Sequence, residues 1–167
     1  MLYLKKANFD DIEQEYLSVS NTPADENGFI NEWCDVNRGD FAEKALTPMI
    51  DAESGKGLPE GYVPETFYFL WNDDEIVGQF RLRHYLCSSL VEGAGHIGYF
   101  IHPEHRGKGY ASEGLRLLLI EAKNIVPEDE YYLRLNKDNA ASLRVMMKNG
   151  GYLHHEDEQK YYVRIKK

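Results

Sequence analysis

The segment IHPEHRGKGYASEG, residues 101–114, constrains the fold more than any other part of the chain. An apolar run at 96–101 ends before Pro103, two glycines alternate with two cations at 106–109, and helical spacing of apolar residues begins at 110–125. This order predicts a strand, a glycine loop and a helix in direct succession. Helix N-termini leave backbone N–H groups unpaired, and glycine lets the backbone approach a ligand closely. We therefore predict an anion-binding loop, with a tight turn and solvated cations as the alternative.

The remaining pattern alternates between helical and strand periodicity along the whole chain. Helices are expected at 10–19, at 40–52 with a bend at Pro48, and at 139–149. One strand is expected before the first helix. Further strands are expected at 66–71 and 76–86, which form a hairpin, then at 96–101 and 131–136, and in a closing hairpin at 151–156 and 160–166. This order predicts a single α/β domain over residues 1–167, of the α+β type, with a mixed sheet flanked by helices.

Charge and cysteine content exclude several classes of partner. The chain has 19 Lys and Arg against 28 Asp and Glu, a formal net charge of −9. Such a chain is expected to bind neither nucleic acid nor an anionic membrane. No apolar run approaches the ~18 residues of a membrane span, and the N-terminal segment lacks the pattern of a secretion signal. With two cysteines, Cys34 and Cys87, we expect a cytoplasmic protein with free thiols.

Two segments resemble signatures of the GNAT superfamily of acyl-CoA N-acyltransferases. IGYFIHPEHRGKGYASEGL, residues 97–115, is similar to motif A of the superfamily, and NKDNAASLRVMMKNGGY, residues 136–152, is similar to its second signature. The motif A core [QR]-x-x-G-x-[GA] is matched by Arg106, Gly107, Lys108, Gly109, Tyr110 and Ala111. The second signature starts with Asn139 and Ser142, but it ends with one extra glycine. Both segments are most similar to the corresponding motifs of the bacterial branch of ribosomal-protein N-terminal acetyltransferases.

The resemblance implies a fold, a cofactor and a set of cofactor-binding residues. The fold would have a mostly antiparallel sheet of about seven strands that splays between its fourth and fifth strands. Acetyl-CoA or another acyl-CoA would lie in the splay, with its pantetheine arm on the backbone of Tyr99, Phe100 and Ile101. Its pyrophosphate would bind the N–H groups of residues 106–111. Asn139 would contact the pantetheine arm, cap the following helix, or do both.

The resemblance also implies the proton-transfer residues. Many members of the superfamily use a tyrosine seven residues after the asparagine as the acid, but that position is Met146 here. Ser142 matches the serine that is assigned as the acid in the related branch, and it can equally be a helix-start serine. His96 stands where that branch places its base. Glu92 and a chain of water molecules are the alternatives to His96.

The sequence indicates the residues that would bind the amine acceptor less clearly. Arg81, Arg83 and His84 lie on the strand before the splayed one, where they could bind an acidic group of the acceptor or simply be solvated. We expect no metal site, since adjacent histidines at 154–155 point to opposite faces of a strand.

These observations favour an N-acetyltransferase that acts on an amine of a small molecule, a peptide or a protein, by direct attack in a ternary complex. The alternatives are a CoA-binding regulatory or interaction module without turnover, which the methionine in place of the tyrosine would suit, and an anion-binding domain without CoA. The sequence leaves a homodimer open.

Overall fold

The computed structural model describes residues 1–167 and shows nine strands and five helices. The strands are β1 (Leu2–Lys6), β2 (Asp25–Glu26), β3 (Phe29–Ile30), β4 (Glu65–Asn72), β5 (Glu75–Arg83), β6 (Ile97–Ile101), β7 (Glu130–Asn136), β8 (Gly151–Glu156) and β9 (Lys160–Lys166). The helices are α1 (Ile12–Ser20), α2 (Thr47–Ala52), α3 (Ser88–Val91), α4 (Tyr110–Ala122) and α5 (Ala140–Lys148). A π-helical turn at Ala42–Leu46 leads into α2, and a 3-10 turn at Pro103–His105 follows β6.

Seven of the strands form two antiparallel sheets that lie side by side. The first has the order β1-β4-β5-β6, and the second has the order β7-β9-β8. The last strand of the first sheet and the first strand of the second are therefore the fourth and fifth of the seven. They are not paired along their lengths, and a single bridge between Gly95 and Leu133 joins the sheets. The predicted α/β fold with a splay at this position is confirmed.

Helices cover both faces of the first sheet, and each face has its own apolar core. The larger core lies under α4 and α5 and includes Leu70, Phe80, Leu82, Leu115, Leu118 and Leu133. The smaller core lies under α1 and α2 and includes Val19, Phe41, Leu46, Phe67, Phe69 and Trp71. Alternate residues of β4 thus face opposite cores, which explains why the strand is apolar throughout. None of the helices combines the length and apolar character needed to cross a membrane.

The helix and strand boundaries follow the sequence pattern closely, but the four-residue helix α3 and one hairpin were missed. β5 ends at Arg83, three residues before the predicted strand end, and α4 ends at Ala122. The missed hairpin is β2–β3, whose two turn residues Asn27 and Gly28 have φ angles of 52° and 88°. Asn-Gly is the preferred pair for a two-residue turn with both φ angles positive, so the signal was present in the sequence.

A buried carboxyl group ties α1 to the end of β1. Glu15 has no exposed surface, and its Oε1 accepts hydrogen bonds from the Asn8 backbone N–H at 3.0 Å and from Asn8 Nδ2 at 3.1 Å. Burial raises the pKa of Glu15 to about 8; the charge of Asp11 acts in the same direction, and the bond from Asn8 opposes it. The folded protein therefore holds a proton on Glu15 at neutral pH.

We expect this proton to make folding stability fall as the pH rises from the ordinary glutamate pKa of 4.5 towards about 8. Over that range the unfolded chain releases the proton and the folded chain retains it, so deprotonation favours unfolding. Glu15→Gln removes the effect, and its advantage in unfolding free energy over the wild type should grow between about pH 5 and about pH 8 in urea denaturation. Glu13→Gln, on the exposed side of the same helix, is the control. If the unfolding free energies of Glu15→Gln and the wild type differ by the same amount at both pH values, Glu15 does not hold a proton in the folded protein.

Candidate active site

A cleft of about 660 Å³ opens where β6 and β7 diverge. The loop before α4 and the first turn of α5 line one end of the cleft. The β2–β3 hairpin runs along the cleft, since Glu26 bonds Arg106 of this loop and the Ile30 carbonyl accepts from Arg81 of β5. The cleft thus lies in the splay that the sequence implied.

His96 holds the two strands together at the closed end of the splay. Its backbone N–H donates to the Tyr132 carbonyl at 2.7 Å, and its ring Nδ1 accepts from the Tyr132 backbone N–H at 2.9 Å. Its Nε2 lies 3.1 Å from Oε2 of Glu128, whose other oxygen accepts from the Leu86 backbone N–H at 2.7 Å. Since Nδ1 accepts a hydrogen bond, Nε2 carries the proton and donates it to Glu128.

This arrangement leaves the imidazole of His96 without a free lone pair. The side chain is completely buried and does not line the cleft. Burial lowers the pKa of His96 below its ordinary value, although the Glu128 carboxylate opposes the shift. The ring is therefore neutral at neutral pH, and both of its nitrogens are used within the protein. The geometry favours a positioning role for His96 over proton acceptance from an amine.

Beyond His96 the edge of β6 that faces β7 is unpaired. The His96 carbonyl accepts from the Arg83 N–H, and the His102 N–H donates to the Val77 carbonyl, both in β5. By alternation the backbone groups of Ile97 and Tyr99 point into the cleft. Phe100 points its backbone towards β5, and its ring stacks on Phe29 of the hairpin at 5.8 Å. Of the three predicted backbone contacts, Tyr99 therefore has the most open position.

The glycine loop presents a continuous row of free N–H groups. None of the N–H groups of residues 107–112 has an acceptor within the protein, whereas that of Arg106 bonds to Pro103. Gly107 and Gly109 have φ angles of 77° and 80°, and no atom lies within 4 Å of where a Cβ would stand on either. Because the loop turns through left-handed conformations, successive N–H groups face the same open space. They lead directly into the N-terminus of the 13-residue helix α4.

The two cations of the loop have different surroundings. Arg106 donates from Nε to the Ile101 carbonyl at 2.9 Å and from Nη2 to Glu26 at 3.0 Å, so it fastens the β2–β3 hairpin to the end of β6. Lys108 is exposed, and its Nζ lies 6.0 Å from the centre of the Tyr110 ring. Lys108 is therefore the freer of the two charges, although the cleft surface itself includes Arg106 and Tyr110.

Ser142, whose backbone N–H is bonded to Asn139, contacts Tyr99 across the splay. The Asn139 side chain caps α5, since its Oδ1 accepts from the Ser142 N–H at 3.2 Å. The Ser142 hydroxyl lies 2.6 Å from the Tyr99 hydroxyl, and Met146, one turn further along, is buried. Burial raises the pKa of Tyr99 to about 12, although the bond with Ser142 opposes it, so the phenol stays protonated. A pair of hydroxyl groups thus faces the cleft where the sequence offered a single serine.

The predicted acceptor residues separate into two groups. Arg81 and Arg83 line the cleft, but His84 points away from it and bonds to the Thr66 hydroxyl at 2.7 Å. The structure adds Arg134 of β7, which the sequence analysis did not single out. Arg134 alternates with the buried residues of its strand, so the sequence pattern predicts that its side chain points away from the core. Its position opposite β5 could not be predicted, because it depends on the splay.

The expectation that the adjacent histidines at 154–155 point to opposite faces of their strand is wrong. The strand register shifts between Leu153 and His155, and this bulge turns both rings to the same side. The Nδ1 atoms of His154 and His155 lie 2.8 Å apart instead of on opposite faces. No carboxylate or thiol joins them in a group of three metal-ligating side chains.

Comparison with solved structures finds the same fold throughout the chain. RimL, a ribosomal L7/L12 α-N-protein acetyltransferase in complex with coenzyme A, is 17% identical with a TM-score of 0.68, and the match covers 98% of this chain and 90% of that one. The Campylobacter jejuni N-acetyltransferase PseH in complex with acetyl coenzyme A is 15% identical with a TM-score of 0.58, covering 100% and 99%. A spermidine N-acetyltransferase SpeG chimera from Vibrio cholerae is 15% identical with a TM-score of 0.63, covering 99% and 95%.

Sequence comparison identifies the family. No curated protein matches the chain. The family model described as the acetyltransferase (GNAT) domain matches residues 4–151, which include the glycine loop, the motif A segment and all but the last residue of the second signature. The chain therefore belongs to the GNAT family of acyl-CoA-dependent N-acetyltransferases.

Proposed function

We propose that this chain, acting as one domain over residues 1–167, transfers the acetyl group of acetyl-CoA to a primary amine by direct attack in a ternary complex. The observation that carries the proposal is the row of free N–H groups at residues 107–112, which opens into the cleft between β6 and β7. The amine acceptor belongs to a small molecule or a peptide. A cytoplasmic location and a homodimer stay predictions.

The residues present fit acetyl-CoA. The free N–H groups of the loop suit the pyrophosphate, and the absence of a Cβ at Gly107 and Gly109 leaves room for it. The unpaired backbone of Tyr99 suits the amides of the pantetheine arm, and Asn139 Nδ2 has no acceptor within the protein, so capping and cofactor contact can coexist. When bound, acetyl-CoA supplies an activated acetyl group as a thioester. The complexes of RimL with coenzyme A and of PseH with acetyl coenzyme A support this assignment.

Ser142 and Tyr99 are positioned to manage the proton of the leaving group. Ser142 lies at the first turn of α5, beside Asn139, and its hydroxyl can give a proton to a thiolate in the cleft. Tyr99, which burial keeps protonated, is placed to donate a hydrogen bond to the Ser142 hydroxyl over 2.6 Å, and Ser142 regains its proton through solvent from the amine nitrogen. The two hydroxyl groups together take the place of the tyrosine that Met146 replaces.

A CoA-binding module without turnover is the second candidate. The observation in its favour is Met146, which is buried and carries no proton at the position of the usual acid. Release of free thiol from acetyl-CoA with a panel of amines separates the two candidates, since only an enzyme produces thiol in proportion to the amine consumed.

Gly109→Glu should abolish acetyl-CoA binding, because it places a side chain and a negative charge in the path of the pyrophosphate. The wild-type melting temperature should rise with acetyl-CoA concentration, and the variant should need at least ~100-fold more ligand for the same rise. Gly57→Glu is the matched control, since Gly57 also has a positive φ, 73°, with no atom near its Cβ position, but lies in the loop after α2. An unchanged thermal shift in Gly109→Glu would remove the phosphate assignment.

Ser142→Ala should lower kcat by at least ~10-fold, in line with the loss of a general acid, and should leave acetyl-CoA affinity within ~3-fold. Tyr99→Phe should lower kcat in the same direction, and the double variant should be no worse than Ser142→Ala, because the two hydroxyl groups act in series. Ser54→Ala, an exposed serine after α2, is the control. If Ser142→Ala retains near-normal kcat, the acid lies elsewhere.

The role of His96 can be tested by comparing two substitutions. His96→Ala leaves the Tyr132 N–H buried without an acceptor and should lower the unfolding free energy by ~2–4 kcal/mol. His96→Asn should cost less, since its Oδ1 can replace Nδ1 as the acceptor, and His84→Asn controls for loss of an imidazole outside the cleft. If His96 positions the strands, the pH profile of kcat is unchanged in His96→Asn. A stable His96→Asn variant with kcat lowered ~100-fold and the acidic limb lost would identify His96 as the base.

A further inference from the structure

Three arginines converge at the end of the cleft away from the glycine loop. Arg81 and Arg83 extend from β5 on the face covered by α1 and α2, and Arg134 extends from β7. The guanidinium of Arg134 reaches across the splay, since its Nη1 lies 3.8 Å from where a Cβ would stand on Gly93. This cluster, Arg81, Arg83 and Arg134, is here called the arginine wall.

The arginine wall carries more positive charge than its neighbours neutralise. Arg81 lies 3.5 Å from Glu32 and 3.8 Å from Glu65, and Arg83 lies 4.0 Å from Glu65. Arg134 is exposed and makes no ion pair. Two carboxylates thus face three guanidinium groups, and one of the two, Glu32, has a side chain that is 61% exposed. Solvent screens Glu32 strongly, so the wall keeps a net positive charge in a chain of net charge −9.

Burial makes this excess costly unless a ligand offsets it. The Arg81 side chain is only 7% exposed, yet its Nε has no hydrogen-bond partner in the protein. Burial lowers the pKa of Arg83; Glu65 opposes the shift, and the charges of Arg81 and Arg134 add to it. The three guanidinium groups are therefore close enough to repel one another. Such a cluster is expected where a protein binds an anion.

The same cleft offers few groups that could accept a proton. Its only acidic lining residue is Glu26, which is bonded to Arg106, and His96 is enclosed behind the cleft. Its one lining histidine, His105, lies with Nε2 3.3 Å from Glu75. An amine must therefore arrive with its lone pair free or lose its proton to water. An α-amino group, with a pKa near ~8, has a free lone pair about a few hundred times more often at neutral pH than an amine with a pKa near ~10.4.

We propose that the acceptor is a primary amine of low pKa that carries a carboxylate or a phosphate, and that the arginine wall binds this anionic group. The inference rests on the proposed function and names the acceptor class for it. The amine lone pair attacks the thioester carbon, a C–N bond forms and the C–S bond breaks. The amine nitrogen gives up one proton as the amide forms and the thiolate takes up one, so a neutral amine reacts without net release of a proton. Polyamines are disfavoured for two reasons. They are cationic, so the arginine wall repels them, and their amines are protonated at neutral pH, so the lone pair is not free.

The sharpest test keeps the amine constant and changes only the charge beside it. Two peptides with free N-termini and amidated C-termini, Ser-Glu-Glu and Ser-Arg-Arg, are compared with spermidine in a thiol-release assay. We expect kcat/KM at least ~10-fold higher for the acidic peptide than for either cation, with the difference shrinking as salt is added. Glutamate and glucosamine 6-phosphate as further acceptors distinguish a carboxylate from a phosphate as the preferred anion.

Arg134 is the member of the wall whose substitution perturbs folding least, since it is exposed and makes no ion pair. Arg134→Glu should abolish or reverse the preference for the acidic peptide, mainly through KM, and Arg134→Lys should retain part of it. Lys123→Gln, an exposed cation at the end of α4, is the matched control and should change nothing. Equal or better use of spermidine or of the basic peptide by the wild type would overturn the proposal.

A binding measurement separates this inference from the proposed function. The N-acetylated acidic and basic peptides are titrated into the protein with CoA present and with CoA absent, by calorimetry. The acidic product should bind at least ~10-fold more tightly than the basic one, and Arg134→Glu should remove the difference. If acetyl-CoA fails to bind while the acidic product binds preferentially, the proposed function fails and the anion site stands. If acetyl-CoA binds but the two products bind equally, the anion site fails alone.

Discussion

The structure depends on the way in which His96 ends the pairing of β6 with β7. One residue supplies both hydrogen bonds that Tyr132 needs, the acceptor through its ring and the donor through its backbone. Glu128 fixes the orientation of the ring from the other side. The strands are thus joined firmly at one point and are free of each other beyond it. An open sheet edge, normally a liability, becomes the wall of a binding cleft because its other side is covered by the rest of the sheet.

Close packing of α4 places the glycine loop at the mouth of this cleft. A Cβ on Gly114 would lie 2.4 Å from Cζ of Phe80, so the helix can approach β5 only because that position is glycine. The helix axis and its N-terminus are therefore fixed by the core, and the loop before it needs no support from the ligand. Arg106 adds a tie from the loop to the β2–β3 hairpin through Glu26, which connects the donor end of the cleft to the acceptor end.

The charges of the cleft are arranged in sequence along its length. Backbone N–H groups at one end suit a phosphate, a hydroxyl pair in the middle suits a leaving thiolate, and guanidinium groups at the other end suit an anionic acceptor. The net negative charge of the rest of the chain sharpens this contrast, since the positive potential is confined to one crevice. Neither the family nor the fold alone gives the acceptor, because enzymes of this fold act on unlike amines and the difference lies in the side chains of the acceptor end.

The sequence by itself determined the order of the strands and helices, the glycine loop and the family, since these follow from local periodicity and from residues that are adjacent in the chain. It also placed Ser142 and Asn139 at the start of a helix. It did not show that Tyr99 meets Ser142, that His96 is enclosed, or that Arg134 faces β5, because each depends on the distance between β6 and β7. That distance is set by hydrogen bonds between residues 36 positions apart, His96 and Tyr132, and only the tertiary structure decides which side chains the splay brings together.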